Sequence, residues 1–292
     1  MKSLRKLARP YRVAHGSRFR LADCDPADGG RIDLQDVAPA LLRQSVERMS
    51  VLQEKLYAQD KWSVLLIFQA LDAAGKDSVI KHVMSGLNPQ SCEVHAFKAP
   101  SAEELDHDFL WRTMRALPRR GHIGIFNRSH YEEVLVVRVH REILAGQQLP
   151  PSLVTKDIWK QRYEDINAVE RYLSRQGVLI RKFFLYVSPG EQKKRFLERL
   201  DEPEKNWKFS VADVHERARF DEYMAAYQDA IRATSTPWAP WYVVPADRKW
   251  FTRLVVASAV IEALESLQPE FPTVDEAKKR ELRKMRRALL DA

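Results

Sequence analysis

Apolar positions along this chain switch repeatedly between two periods, and the switching predicts strands and helices in alternation. Residues 64–68 are an unbroken apolar run, the pattern of a strand buried on both faces. Over 76–84 the apolar residues Val79, Ile80, Val83 and Met84 recur at helical spacing. Val37, Leu41, Leu42, Val46, Met49 and Leu56 mark an amphipathic helix over 36–57, ahead of that first strand. Further strands are predicted at 92–97, 123–126, 178–187 and 241–244.

The intervening stretches read as helices with recognisable starts. Ser101 with Glu104, Ser129 with Glu132, and Thr273 with Glu276 have capping-box spacing. They predict a helix from 101 through Met114, one over 131–144, and a last, very basic one. Ser188-Pro189 places proline at its favoured first helical position, opening a helix to about Leu200. Helices are also predicted over 155–175, 213–234 and 248–267, with a polar connection at 201–210. Strands joined by helical crossovers imply an α/β architecture: a mostly parallel five-stranded sheet between two helical layers. The whole chain, 1–292, reads as one domain. It has an N-terminal arm over 1–33, a helical segment over 188–235 and a basic C-terminal helix over 272–292.

Charge and cysteine content narrow the class. The net charge of +8 over 292 residues implies an anionic partner without choosing among nucleic acid, membrane surface and polyanionic substrate. The cations cluster: Lys2, Arg5, Lys6, Arg9, Arg12, Arg18 and Arg20 at the start, Lys193 to Lys208 in the middle, Lys278 to Arg287 at the end. Cys24 and Cys92 are far apart and lack metal-ligand spacing, which fits a reducing, cytoplasmic setting and argues against zinc. No membrane-length apolar run and no signal-peptide core is present, and no nucleic-acid-recognition motif is found.

The candidate chemistry sits at two strand ends. After the first strand, Ala70-Leu71-Asp72-Ala73-Ala74-Gly75-Lys76-Asp77 leads into a helix, the order of a phosphate-binding loop. The backbone N–H groups of Ala73, Ala74, Gly75 and Lys76 are expected to face an anion, with Lys76 supplying a mobile charge. Asp72 is the first candidate ligand for Mg²⁺, which prefers one or two carboxylates plus phosphate oxygens; Asp77 stands where a Ser or Thr usually does. An ordinary strand–turn–helix with a surface lysine is the plain alternative. After the third strand comes Asn127-Arg128-Ser129-His130-Tyr131-Glu132-Glu133. Arg128 suits bidentate phosphate contacts, Glu132 is read as the capping partner of Ser129, and Glu133 as a second metal ligand. His130 is open to two readings, a phospho-accepting nucleophile or a helix-start residue.

The loop, together with Val83-Met84-Ser85-Gly86-Leu87-Asn88-Pro89-Gln90, Phe97-Lys98-Ala99-Pro100-Ser101, His107 to Arg112, Asn127 to Glu132, Arg195 to Arg199 and Pro203 to Ser210, resembles the family-2 polyphosphate kinases, in order from about residue 30 to 265. That resemblance implies a P-loop kinase-like fold with a helical lid, and phosphoryl transfer between inorganic polyphosphate and adenine or guanine nucleotides with Mg²⁺, or Mn²⁺ in its place. It implies a homo-oligomer as well. The form Asn-Arg-Ser-His-Tyr-Glu is similar to members that accept both AMP and ADP. Arg195, Arg199, Lys205 and Lys208 then become candidate polyphosphate contacts on the lid; a solvated amphipathic helix is the plainer reading of the same residues. Lys98, Asn127 and Arg128 become candidate nucleotide contacts. Ala70 and Ser78 stand where such relatives carry glycine, so Ala70 fits at a negative φ and strains the loop at a positive one. An ATP-using nucleoside monophosphate kinase and a non-catalytic polyanion-binding protein with a degenerate loop are the alternatives.

Overall fold

The computed structural model describes residues 6–30 and 34–291, and only the backbone of Lys205, Lys208, Val211 and Ala212. Lys2 and Arg5 of the N-terminal basic cluster therefore lie outside the described residues. Five strands, β1 (Ser63–Ala70), β2 (Cys92–Ala96), β3 (Ile123–Asn127), β4 (Val178–Tyr186) and β5 (Trp241–Pro245), form one sheet in the order β2-β3-β1-β4-β5. All the pairings are parallel.

Alternation along each strand divides the core into two layers. Val64, Leu66 and Phe68 of β1 pack with α1 (Ala38–Gln59), α2 (Lys76–Val83) and α11 (Lys249–Ser266) on one face. Leu65 and Ile67 pack on the other face with α7 (Ile158–Arg175) and α10 (Phe220–Thr234). Each such side chain, fully removed from water, contributes about 1.5–3 kcal/mol, which is why the central strand carries no polar position between Ser63 and Gln69. The N-terminal arm lies across the sheet's end: Val13 N–H donates to the Trp241 carbonyl at 2.9 Å, and Phe19 and Leu21 enter the second layer. Among the described residues no helix is long and apolar enough to cross a membrane.

Several predicted helices are shorter than their periodicity implies. The stretch after Ser101 forms the expected capping box but splits into α3 (Ala102–Leu105) and α4 (Trp111–Met114). Asp108 causes the break, its carboxylate accepting from Leu110 N–H at 2.9 Å in competition with the helical ladder. The expected helix over 131–144 is instead a 3-10 turn, His130–Val134, followed by α5 (Val136–Val139) and α6 (Arg141–Ala145). The segment over 188–235 contains α8 (Pro189–Asp201), a 3-10 turn Pro203–Lys208, α9 (Val211–Arg217) and α10. Of these, α10 buries Tyr223, Tyr227 and Ile231 in the core, so only α8, the turn and α9 overhang the strand ends. The last helix, α12 (Glu276–Leu290), is capped by Asp275, which accepts from Lys278 N–H at 2.7 Å, and not by Thr273. A carboxylate at a helix N-terminus also meets the positive end of the dipole, so the cap falls on the aspartate.

The chain runs from β1 outward to β2 and back to β3, then crosses to the other side of β1 for β4 and β5. The connections therefore diverge beside β1, leaving a crevice at its carboxyl end where such sheets bind ligands. Both chemistry-bearing turns open into that crevice.

Candidate active site

The loop after β1 is shaped from two sides. Ala70 is the last residue of β1, in register with Leu185, so the residue standing in place of glycine is extended and unstrained. The left-handed positions are Ala73, φ 64°, and Gly75, φ 100°. Gly75 accepts this at no steric cost; Ala73 adopts it against a preference of about 1–2 kcal/mol. That cost is offset by Arg195 of α8. Its Nη1 donates to the Ala73 and Ala74 carbonyls at 3.1 and 2.8 Å, and its Nη2 to those of Ala246 and Asp247 at 2.6 and 3.0 Å. Because C=O and N–H point oppositely across a trans peptide, fixing the Ala74 carbonyl turns the Gly75 N–H away from Arg195. The Ala74 N–H departs from expectation, donating back to the Leu71 carbonyl at 3.2 Å within the turn.

Arg195 is therefore a buried brace of the loop, and it also lines the cleft above it. Arg195→Met keeps the volume but strips four carbonyls of their donor. It is expected to destabilise the fold by about 3–5 kcal/mol in urea unfolding, with Arg195→Lys recovering only part of that loss.

Lys76 opens α2 with 8% of its surface exposed. Its ammonium has three donors, and among the described residues one finds a partner, the Ala70 carbonyl at 3.2 Å. Burial, then the Arg128 charge, pull its pKa below the usual lysine value, against the opposing pull of Asp72, Glu132 and Asp77.

The second turn faces the first. Arg128, at φ 65°, is tied through its N–H to the Phe68 carbonyl at 3.0 Å, and its Nη2 donates to Asp72 Oδ1 at 2.9 Å. Burial works against its charge, but Glu132 and Asp72 together outweigh that and raise its pKa. Asn127 Nδ2 donates to Asp77 Oδ1 at 2.7 Å, so these two hold the turns together. Glu132 does not cap Ser129. Its Oε1 accepts from Gln69 Nε2 at 2.6 Å, and Ser129 Oγ donates to Gln69 Oε1 at 3.2 Å while accepting from Tyr131 N–H at 3.1 Å. The buried amide of Gln69 thus decides which way Glu132 points, toward Arg128.

Glu133 is turned away from the loop. Its Oε2 accepts from Arg162 Nη1 at 3.1 Å and from the Gln147 amide, deep between the turn and α7. Burial raises its pKa, opposed by Gln147 and Arg162. It anchors α7 and does not share a site with Asp72, so the carboxylate facing Asp72 across Arg128 is Glu132. His130 is buried, its pKa taken down to about 3 by desolvation and then by Lys182 and Arg112, which keeps the ring neutral. Lys98 is exposed after β2 and offers its carbonyl to Arg112 at 2.7 Å; its side chain is not among the groups lining the cleft.

Above the loop a cleft of about 350 Å³ is lined by Asp72, Lys76, Asp77, Arg199, Lys249 and Arg253, among others. Arg199 lies 3.6 Å from Asp213 of α9, linking the two overhanging helices. The side chains of Lys205 and Lys208 fall outside the described residues. Lys249 and Arg253 escaped the sequence reading because they lie on α11, whose apolar period reads only as a covering helix. Arg253 Nη2 donates to Ser78 Oγ at 3.0 Å, so serine in place of glycine ties α11 to α2.

A fit for Mg²⁺ rests on the donor set. Asp72 offers a hard carboxylate, about one-third exposed, at the mouth of the loop. Among the described residues no cluster of three or more His, Cys, Asp or Glu is suited to a metal. One carboxylate beside a phosphate cradle fits an ion that takes its remaining ligands from substrate oxygens and water.

A parallel sheet, an anion loop braced from behind, and convergent cations over it define a P-loop-type phosphotransferase fold. Residues 34–272 match the family model described as polyphosphate kinase 2, and the chain belongs to that family. It is 50% identical over 281 residues to an ADP-polyphosphate phosphotransferase of Rhodopseudomonas palustris, spanning 96% of this chain and 97% of that protein. It is 43% identical to an AMP/ADP-polyphosphate phosphotransferase of Meiothermus ruber, over 91% of this chain and 96% of that one. The crystal structure of a polyphosphate kinase 2 from Arthrobacter aurescens superposes with a TM-score of 0.86 at 41% identity, covering 94% of this chain and 95% of the other.

Proposed function

We propose that this protein transfers a phosphoryl group between inorganic polyphosphate and an adenine nucleotide, with AMP and ADP as acceptors and a divalent cation, Mg²⁺, as cofactor. The observation that carries this reading is the convergence of Lys76, Arg195, Arg199, Lys249 and Arg253 on one loop-floored cleft, with Arg128 paired to Asp72 of its lining, so that cations outnumber the carboxylates Asp72, Asp77 and Glu198 there. The names of the two relatives, an ADP- and an AMP/ADP-polyphosphate phosphotransferase, support the choice of donor and acceptor.

The acceptor is a phosphate oxygen already anionic near neutral pH, so no residue has to remove a proton from it. Catalysis is positioning and charge neutralisation. Lys76 and the Gly75 N–H hold the group being transferred, and Arg128 neutralises charge spreading over its oxygens, oriented by Asp72 and Glu132. Asp72 would hold the cation, which when bound supplies further charge neutralisation between the phosphates. The overhang of α8 and α9 shields the cleft from water that would otherwise accept the phosphoryl group.

The test is a donor exchange. Purified protein with Mg²⁺ and ADP is expected to form ATP from polyphosphate, and EDTA is expected to stop it. Formation of ADP from AMP with ATP as the better donor and polyphosphate inert would replace this reading with a nucleoside monophosphate kinase.

A further inference from the structure

Behind the Arg128 turn lies a charged network with almost no exposure. Lys182 of β4 is 0% exposed and Glu170 of α7 2%. The Lys182 ammonium satisfies its donors on Glu170 Oε2, on Tyr131 Oη at 2.8 Å and on the Thr234 carbonyl at 2.8 Å. Tyr131 O–H donates in turn to Glu170 Oε1 at 2.8 Å, and Trp241 Nε1 donates to Thr234 Oγ1 at 2.9 Å. Burial opposes both ions, drawing Lys182 down to about 8 and pushing Glu170 up, with their mutual attraction pulling the other way.

Fold stability is a poor reason for such an arrangement. Two ions stripped of water in so dry a place recover little more than their desolvation, and apolar residues of similar volume usually do as well or better. The network instead ties together at one point four separate pieces: the middle of β4, α7, the C-terminus of α10, and the 3-10 turn His130–Val134. The turn is the part with a functional neighbour. Tyr131 is fully buried, its ring edge-on to Trp241 at 4.8 Å, three residues after Arg128 and one before Glu132. Arg128 itself has left-handed backbone, a conformation that persists only where the surroundings impose it. Gln69 fixes the Glu132 side chain, the Phe68 carbonyl holds the Arg128 N–H and Arg162 holds Glu133, and the Tyr131 hydroxyl ties the middle of the turn to the buried ion pair.

We propose that Lys182, Glu170 and Tyr131 are positioning residues that set Arg128 and Glu132 in register with the transferring phosphoryl group. They do so without touching the cleft. The inference rests on the phosphotransferase reading above.

Two full-length variants test it. Lys182→Met combined with Glu170→Leu replaces the ion pair by apolar residues, and Tyr131→Phe removes one oxygen and keeps the ring. The double variant is expected to melt within a few degrees of wild type, yet to lose about 10–100-fold in kcat. Its KM for nucleotide and for phosphoryl donor should stay within about two-fold, because Lys76 and the loop are untouched. Tyr131→Phe is expected to lose about ten-fold in kcat in the same pattern. Affinity for ADP with aluminium fluoride, a mimic of the transferring group, should fall by the same factor as kcat while affinity for ADP alone holds. A folded double variant at wild-type kcat overturns the proposal. So does a Tyr131→Phe variant at wild-type kcat, whether or not the double variant folds. All rates are taken as ratios to wild type with whichever donor wild type uses, so failure of polyphosphate as donor is read separately, in the wild-type assay.

Discussion

Lys76→Ala is expected to lower kcat by about 10²- to 10³-fold while leaving the melting temperature nearly unchanged. The reasoning joins position to burial. Lys76 begins α2, where the helix dipole is positive, and its ammonium sits largely desolvated with one weak protein partner, the Ala70 carbonyl at 3.2 Å. A preorganised donor in a water-poor site stabilises developing charge far more than it would in water, and removal of one such donor commonly costs about 2.7–4 kcal/mol of transition-state stabilisation. The same desolvation makes the charge a burden on the fold, so its loss is not expected to unfold the protein. Steady-state kinetics with polyphosphate and ADP, alongside a thermal melt, checks both halves. Turnover within ten-fold of wild type removes Lys76 from the site.

Asp72→Asn is expected to cost at least ~100-fold in kcat at fixed Mg²⁺ and to move half-saturation to higher Mg²⁺, because a neutral amide is a far weaker ligand for a hard cation. Asp72 has a second task that sharpens the prediction. It holds Arg128 at 2.9 Å and supports the arginine's charge together with Glu132. Saturating Mg²⁺ should therefore recover only part of the lost rate, the remainder belonging to a displaced guanidinium. A titration of rate against Mg²⁺ separates the two. Full recovery at high Mg²⁺ would assign Asp72 to the metal alone, and an unchanged Mg²⁺ dependence would assign it to Arg128 alone.

The inner strands were legible because their period is short and their burial almost complete. All five fall within a few residues of the stretches that predicted them, the covered ones because a strand buried on both faces tolerates almost nothing else; β2, at the sheet's edge, is partly exposed and carries Glu93 and His95. Helices were legible where the apolar period was sustained, as in α2 and α11, or where a cap agreed with it, as in α8. They were misread where a side chain offered the backbone another partner, at Asp108 and in the Ser129–Glu132 turn. Capping-box spacing is a local signal, and it cannot reveal that Gln69, far earlier in the chain, takes the glutamate.

The candidate site divides along the same line. Order along the chain determined that a strand, a small-residue turn and a lysine-led helix make an anion loop, because that geometry depends on neighbouring residues alone. Family membership also followed from motifs in order, and the match over residues 34–272 agrees with it. Tertiary structure decided what each charged side chain faces. It turned Glu133 inward to Arg162 and made Glu132 the carboxylate beside Arg128. It sank Arg195 behind the loop as a brace, and brought Lys249 and Arg253 to the cleft from a helix with no visible chemistry. Adjacent residues on a turn differ in direction by the local backbone, and distant ones meet only when the sheet is assembled. Which charges are paired, buried or free to act is therefore a property of the packed fold.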